Sequence, residues 1–362
     1  MVYFYFSLVI GVLKHINSIK LNRFPNSTLE SDYLKIKILK VLSNSKGFIS
    51  GERLSKLCGV SRTAIWKHIN SLKEEGYAIE TQLRWGYRLI SRPDALLKTE
   101  ILNNLQTEKW GKEFLFTYDE VDSTNSLAKT YAAAGKPEGT VVIAEKQLQG
   151  KGRLGRAWDS PKGKGIWASV LLRPEIPPTS APQISFVLAV GMVRALEKAL
   201  GVKTGIKWPN DILINKQKVA GILTELSAEI ERVNYIVCGI GVNVNQSKEE
   251  FPEEFRDNAI SLNIALGRLV SRVQVFQAML EEIEKTYNQY LEYGFSFIIE
   301  EWKNNSVTLG EDVLVIMPQE KLEGKAVDVD RDGFLIVRDN NNALHRIIVG
   351  DVSLRSSQGK YA

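Results

Sequence analysis

Apolar residues along this chain recur first at helical spacing, then with mixed periods, and finally at every second position. From Tyr33, the residues Leu34, Ile36, Ile38, Leu39 and Val41 sit among lysines until the turn formers of Ser43–Gly47 intervene. Leu54 and Leu57 predict a short helix ending at Gly59. Ser61 is placed to cap a second helix with an inner stripe of Ile65, Ile69 and Leu72. Small Ala64 allows close approach of the first helix, leaving Arg62, Thr63, Trp66, Lys67 and Asn70 on the outer face. Glu80–Leu89 reads as a hairpin with Gly86 near its tip, and Arg92-Pro-Asp-Ala as a linker.

After the linker, strands are predicted at Phe116–Val121, Val141–Glu145, Ile166–Leu172, Asp211–Ile214, Lys218–Glu225 and Ile236–Asn245, and an amphipathic core helix at Ser185–Leu200. Val273–Trp302 is largely helical. The period then becomes two, at Val313–Ile316, Leu322–Val329, Phe334–Val337 and Arg346–Val349. Turn signals at Asp330–Gly333 and Asp339–Asn342 separate these runs, which predict a small barrel. The 362 residues therefore divide into an extension (1–31), a winged helix-turn-helix (32–92), a central domain (98–305) and a small β domain (306–356).

Charge sharpens this division. The net charge is +5, but residues 1–100 hold 16 Lys and Arg against 8 Asp and Glu, so the remainder is slightly acidic. Clustered cations on a helix-turn-helix point to nucleic acid, with Arg62, Thr63, Trp66, Lys67 and Asn70 facing bases. Arg84 and Arg88 on the wing would reach phosphates. Met1–Leu13 is uncharged and apolar, yet 13 residues fall short of the roughly 20 needed to span a bilayer. It also lacks the basic lead and small-residue cleavage site of a secretory signal. No membrane partner is expected. Cys58 and Cys238 are too far apart in sequence to suggest a disulfide framework or a zinc site, and a reducing, cytoplasmic setting fits.

Four segments of the central domain carry candidate chemistry. Asp122, Ser123, Thr124 and Asn125 lie at a strand-to-helix junction, where short polar side chains either cap the helix or meet a small polar ligand. Gly150, Gly152 and Gly155 alternate with Lys151, Arg153 and Arg156 just after Gln147 and ahead of Trp158. Backbone N–H groups and cations in such a loop suit a polyphosphate, although the segment matches neither the P-loop nor the dinucleotide fingerprint. Its glycines predict mobility when empty and ordering on binding. Lys207 and Asp211 border a proline corner, and Lys218 heads the return strand; the first two are either an ion pair or groups that handle an acyl phosphate. Gly239 and Gly241 leave room for a ligand beside Asn243. No metal-ligating cluster is expected, and the scattered histidines offer no catalytic triad.

In this order, Gly150-Lys-Gly-Arg-Leu-Gly-Arg156, Trp158, Lys207-Trp-Pro-Asn-Asp211 and Lys218-Val-Ala-Gly-Ile222 resemble the biotin–protein ligases. The N-terminal module narrows the likeness to the bifunctional bacterial form, ligase and biotin-operon repressor in one chain. The resemblance runs from about Tyr33 to Leu354. It implies an α+β protein: a winged helix-turn-helix, a central α/β ligase domain with a mixed sheet, and a C-terminal SH3-like barrel that covers ATP, docks the acceptor or simply caps the sheet.

The resemblance implies activation of biotin by ATP and Mg²⁺ to biotinyl-5′-AMP, and transfer to a lysine of the biotin carboxyl carrier protein of acetyl-CoA carboxylase. It also implies repression of biotin genes by a homodimer on operator DNA. Biotin contacts would come from Ser123, Thr124, Asn125, Gln147, Lys151, Gly152, Arg153 and Lys218. Gly150, Arg156, Trp158 and Asn243 would serve the nucleotide, with Lys207, Arg153 and Asp211 at the reacting groups. Lys151 and Leu154 stand where arginine-rich members carry Arg, which implies weaker loop–phosphate contacts. The rival readings are a lipoate or octanoate ligase and a biotin-sensing transcription factor without catalysis.

Overall fold

The computed structural model describes residues 26–354 apart from 318, 319 and 349; most of the 1–31 extension, with its apolar start, and the last residues of 306–356 lie outside that range. The described residues form two compact units, divided between Ser91 and Arg92.

The first unit contains α1 (Asn26–Ser43), α2 (Gly51–Cys58), α3 (Arg62–Glu74), β1 (Ala78–Gln82) and β2 (Gly86–Ser91). α1 starts seven residues before Tyr33, because the polar stretch ahead of it has no apolar period to announce a helix. Ser50 and Ser61 cap α2 and α3, accepting from Arg53 N and Ala64 N, and Gly59 ends α2 in the left-handed region at φ 74°. Ile65, Ile69 and Leu72 are fully buried. Leu57 is not; Cys58, four residues after Leu54, takes the inner position. Gly86 opens β2 instead of forming the tip. A Cβ there would lie 2.0 Å from Ile49 O, where Ile49 and Tyr87 exchange backbone hydrogen bonds. The tip is Leu83-Arg84-Trp85, with Arg84 at φ 72°.

The second unit is built on a mixed seven-stranded sheet. Its strands are β3 (Leu115–Val121), β4 (Val141–Gln147), β5 (Gly165–Leu172), β6 (Gly205–Lys207), β7 (Asp211–Ile214), β8 (Gln217–Ala228) and β9 (Val233–Asn243). Their order is β3-β4-β5-β9-β8-β7-β6, with only β3 and β4 parallel. Short α4 (Lys98–Asn104) precedes β3, and α5 (Thr124–Ala133) follows it, setting Ala128 and Ala132 against Val142, Leu171 and Val237. Alternate residues of the same strands face the main core, so both faces are covered and the strands read as unbroken apolar runs. That core also receives α6 (Gln183–Leu200), α7 (Leu262–Leu266), α8 (Arg272–Tyr293) and α9 (Phe295–Asn304), the last two separated at Gly294. Gly191 of α6 lies against Ile283 of α8, leaving no room for a Cβ. The helical stretch Pro178–Leu200 has the length and composition to cross a membrane, but 72% of its apolar window is buried inside the protein.

Strands β10 (Asp312–Ile316), β11 (Lys321–Val329), β12 (Leu335–Asp339), β13 (Leu344–Ile347) and β14 (Asp351–Leu354) form an antiparallel sheet ordered β13-β12-β11-β10-β14. Val313, Val315, Leu335 and Val352 extend the same core, and Trp208 Nε1 donates to Gly333 O at 3.1 Å. Arg92-Pro-Asp-Ala is fastened down, unlike a free linker. Buried Arg272 pairs with Asp94 at 3.4 Å and Glu145 at 2.7 Å, and Leu96 N donates to Glu145 at 2.7 Å.

Candidate active site

A cleft of about 360 Å³ opens on the second unit where the β3–α5 junction, the loop after β4, the β6–β7 corner and the ends of β8, β9 and β14 converge. Its lining brings together Ser123, Thr124, Asn125, Gln147, Lys151, Gly152, Arg153, Arg156, Trp158, Lys207, Asp211, Lys218 and Asn243. Gly150 lies just beside it, in the loop's first turn.

The junction is a preorganised polar wall. Ser123, Thr124 and Asn125 are each at most 4% exposed, and Ser123 makes no side-chain capping bond, so its hydroxyl is not committed to the helix. Thr124 donates from N and Oγ1 to Gln147 Oε1 at 2.8 and 3.0 Å, while Gln147 Nε2 donates to Ser160 Oγ. Ser169 Oγ donates to Asn125 Oδ1 at 2.6 Å, and Asn125 Nδ2 donates to Glu225 Oε2 at 2.8 Å. Every amide here is held in one orientation, as a specific ligand requires.

The glycine-rich loop closes as a hairpin. Lys151 bridges Ala157, Gly152 N donates to Arg156 O, and Trp158 N donates to Gly150 O. Gly150 is needed for that approach, since a Cβ would lie 2.3 Å from Trp158 O. At the tip, Leu154 adopts φ 55°. Lys151 Nζ donates to Ser126 Oγ at 3.0 Å. Arg153 reaches Asp351 Oδ1 at 3.4 Å and Gly350 O at 3.3 Å, and Arg156 pairs with Asp351 Oδ2 at 2.6 Å. Burial lowers the Arg153 pKa from its usual value, while Asp351 and Asp211 oppose that shift.

On the opposite side, Lys207 and Asp211 are register partners in β6 and β7, yet Asp211 forms its ion pair with Lys218, at 2.6 Å. Lys207 pairs with no carboxylate among the described residues. Burial lowers its pKa below the ordinary lysine range; Asp211 pulls it back up and Lys218 pushes it further down. Lys218 Nζ also lies 5.1 Å from the Trp158 ring centre. That ring lies over Gly221 and Gly241, where a Cβ would come within 2.9 and 2.6 Å. Asn243 Nδ2 faces the carbonyls of Lys218 and Ile260, and its Oδ1 accepts from Gln246 at 3.2 Å.

Six cations line the cleft against Asp159, Asp211 and Asp351, so an anion is the ligand the charge favours. Apolar wall comes from Ile222, Leu223, Ile240 and Trp158. No histidine or cysteine lines it; Cys58 and Cys238 are free and buried elsewhere, and burial pushes both thiols up. Among the described residues no three His, Cys, Asp or Glu side chains cluster as metal ligands. Asp351, Ser169 and Glu225 are participants that sequence reasoning missed.

Comparison with known proteins places this architecture. The chain is 41% identical to the bifunctional ligase/repressor BirA of Bacillus subtilis, across 91% of this chain and 99% of the relative. It belongs to the biotin–protein ligase family. Within that family, residues 118–243 match the Biotin/lipoate A/B protein ligase family, 35–88 an HTH domain, and 308–355 the Biotin protein ligase C terminal domain. The biotin–[acetyl-CoA-carboxylase] ligase of Paracoccus denitrificans is 33% identical over 60% of this chain and 91% of its own length. The biotin protein ligase of Aquifex aeolicus, solved with biotin and ATP, superposes with a TM-score of 0.58 at 31% identity, covering 68% of this chain and all of that one.

On the first unit, Arg62, Thr63, Trp66 and Lys67 stand exposed on α3 and Asn70 is half-buried. Arg84 is at the wing tip and enters none of the described ion pairs. Arg88 is engaged, donating to Glu80 at 2.6 Å and lying over Phe48, so its charge is offset within the wing.

Proposed function

We propose that this biotin–protein ligase condenses biotin with MgATP to biotinyl-5′-AMP and pyrophosphate, then transfers biotin to one lysine of the biotin carboxyl carrier protein of acetyl-CoA carboxylase. The observation that carries this reading is an internally hydrogen-bonded, glycine-backed hairpin of cations facing a buried amide wall across one cleft. The polar wall of Ser123, Thr124, Asn125 and Gln147 would recognise the ureido ring, with Trp158, Ile222 and Leu223 beside its apolar body. The biotin carboxylate attacks the α-phosphate and the bond to pyrophosphate breaks. An acceptor amine next attacks the carbonyl of the mixed anhydride, AMP leaves, and an amide remains.

Neither step needs an enzyme nucleophile. Both need cations where negative charge develops, and exclusion of water from a labile anhydride. Lys207, half-buried and without a carboxylate partner among the described residues, and Arg153 supply the first. The 150–158 hairpin supplies the second by closing over the nucleotide as Arg153 and Arg156 leave Asp351 for phosphate. Mg²⁺ enters with ATP as part of the substrate, and Asp211 would be the carboxylate available to hold it. The Asp211 carboxylate, which can accept from an N–H, also helps orient the incoming amine.

The exposed cations of α3 support a second activity, repression at operator DNA by a homodimer joined through the central sheet and favoured by the bound adenylate. Two free buried thiols fit the cytoplasm as the setting.

To test the ligase reading, the chain is incubated with biotin, MgATP and a biotin carboxyl carrier domain, and the carrier is weighed by mass spectrometry. One biotinyl group on one lysine is expected, lost in Arg153→Gly and Lys207→Ala. Lipoyl or octanoyl transfer in place of biotin would overturn the assignment.

A further inference from the structure

The wing tip is the least expected surface on the first unit. Leu83 is 87% exposed and Trp85 is 64% exposed, two large apolar side chains flanking Arg84 at the end of a two-stranded ribbon. A five-residue strand at about 3.3 Å per residue carries that tip about 16 Å from the base of the wing. Arg84 stands at φ 72°, where glycine or asparagine is the unstrained choice, so the side chain is kept at a conformational cost. The strand ends that carry the tip are tethered: Gly86, opposite Gln82, is wedged against Ile49, and Lys73 Nζ donates to Thr81 Oγ1 at 2.9 Å.

Charge says what meets this tip. Residues 32–92 carry 12 Lys and Arg against five Asp and Glu, and no acidic residue occurs from Thr81 to Ser91. An apolar tip centred on a cation that enters none of the described ion pairs, on a basic module, matches a polyanion that also offers stackable apolar faces.

We propose that Leu83-Arg84-Trp85 is a minor-groove wedge for duplex DNA: Arg84 enters the groove, while Leu83 and Trp85 press against a base step and bend the duplex. The proposal rests on the DNA-binding reading of α3 and adds indirect readout to it. Base contacts from α3 would set one part of the site, and an easily unstacked pyrimidine–purine step beneath the wing would set another.

The test uses the full chain with biotin and MgATP, and duplexes it selects from a randomised pool. Affinity is read by fluorescence anisotropy and bending by energy transfer between end labels. The wild type is expected to enrich TA or CA/TG steps at a fixed distance from the α3 half-site and to bend the selected duplex. Leu83→Ser/Trp85→Ser, which alters only exposed positions, is expected to bind at least about tenfold more weakly and to lose most of the bend, with the salt dependence unchanged. Arg84→Gly relieves the left-handed strain, so its Tm stays equal or rises while its affinity falls and its salt slope drops by about one.

A double variant that binds and bends like the wild type overturns the wedge, as does one whose only change is self-association by sedimentation, which would make the tip a protein contact. Lys67→Ala separates the two readings: loss of binding there, with wing variants unaffected, keeps α3 on DNA and removes the wing. A wild type that enriches no sequence removes both.

Discussion

Replacing Gly239 by alanine tests whether the buried amide wall is the biotin site. A Cβ at that position would lie 2.3 Å from Asn125 Oδ1 and 2.9 Å from its Cγ and Nδ2. Asn125 must therefore retreat by about 1 Å to reach van der Waals contact. It has little room, being 4% exposed and bonded to Ser169 at 2.6 Å and Glu225 at 2.8 Å. Overpacking a filled site costs about 1–3 kcal/mol, and leaving a buried polar group unpaired costs about 1–3 kcal/mol more. If about 2–3 kcal/mol of that falls on ligand binding, the KM for biotin rises about 30- to 150-fold. The assay is biotin-dependent exchange of labelled pyrophosphate into ATP, with biotin and ATP varied in turn. The ATP KM should stay within about twofold, because Lys207 and the cationic hairpin are untouched. Asn125→Ser in the Gly239→Ala background makes space and should recover part of the biotin affinity. A Gly239→Ala enzyme with an ordinary biotin KM would refute the placement of biotin against Asn125.

Glu225 lies outside the cleft lining yet orients Asn125, while also pairing with Lys129; Glu225→Leu should raise the biotin KM about tenfold with kcat unchanged, and Glu225→Gln, which keeps an acceptor, should restore it. The pH profile follows from Lys207, whose pKa is lowered by burial. Protonated Lys207 is the active form, so kcat/KM for ATP should fall as pH rises through that lowered value. Bound phosphate raises the same pKa, so the fall in kcat should come at higher pH. Lys207→Arg, whose guanidinium holds its proton more tightly than an amine, should move the alkaline limb upward even if the rate drops; an unmoved limb would assign it to another group. Ser61→Ala removes the α3 cap and should destabilise the first unit by about 1 kcal/mol, weakening DNA binding while pyrophosphate exchange is preserved. Cys58 and Cys238 should resist a thiol reagent until the protein is denatured, since both are buried.

What could be read in advance was whatever lay in contiguous sequence. Ser123-Thr124-Asn125, the 150–156 loop and the α3 stripe are each contiguous, so local pattern marked them as candidates, while the roles assigned to the first two came from the family resemblance. The partners that pin those groups are far away: Glu225 is 100 residues from Asn125, and Asp351 is 198 residues from Arg153. No local pattern encodes such pairs, which depend on strand order. The Lys207–Asp211 corner shows the same limit. Cross-strand register puts the two opposite each other, but the return strand brings Lys218 to Asp211 and leaves Lys207 without a carboxylate partner among the described residues. Leu57 and Gly86 were misplaced for smaller reasons, a one-residue choice of helix face and an unseen bridge from Ile49 to Tyr87.

The central claim is that one cleft binds biotin and ATP together and joins them before any acceptor arrives. Biotin-dependent exchange of labelled pyrophosphate into ATP, run without carrier protein, measures that step alone. Exchange that requires biotin, and disappears in Lys207→Ala, is the predicted result. Exchange that proceeds equally without biotin, or none at all with the intact chain, would contradict it.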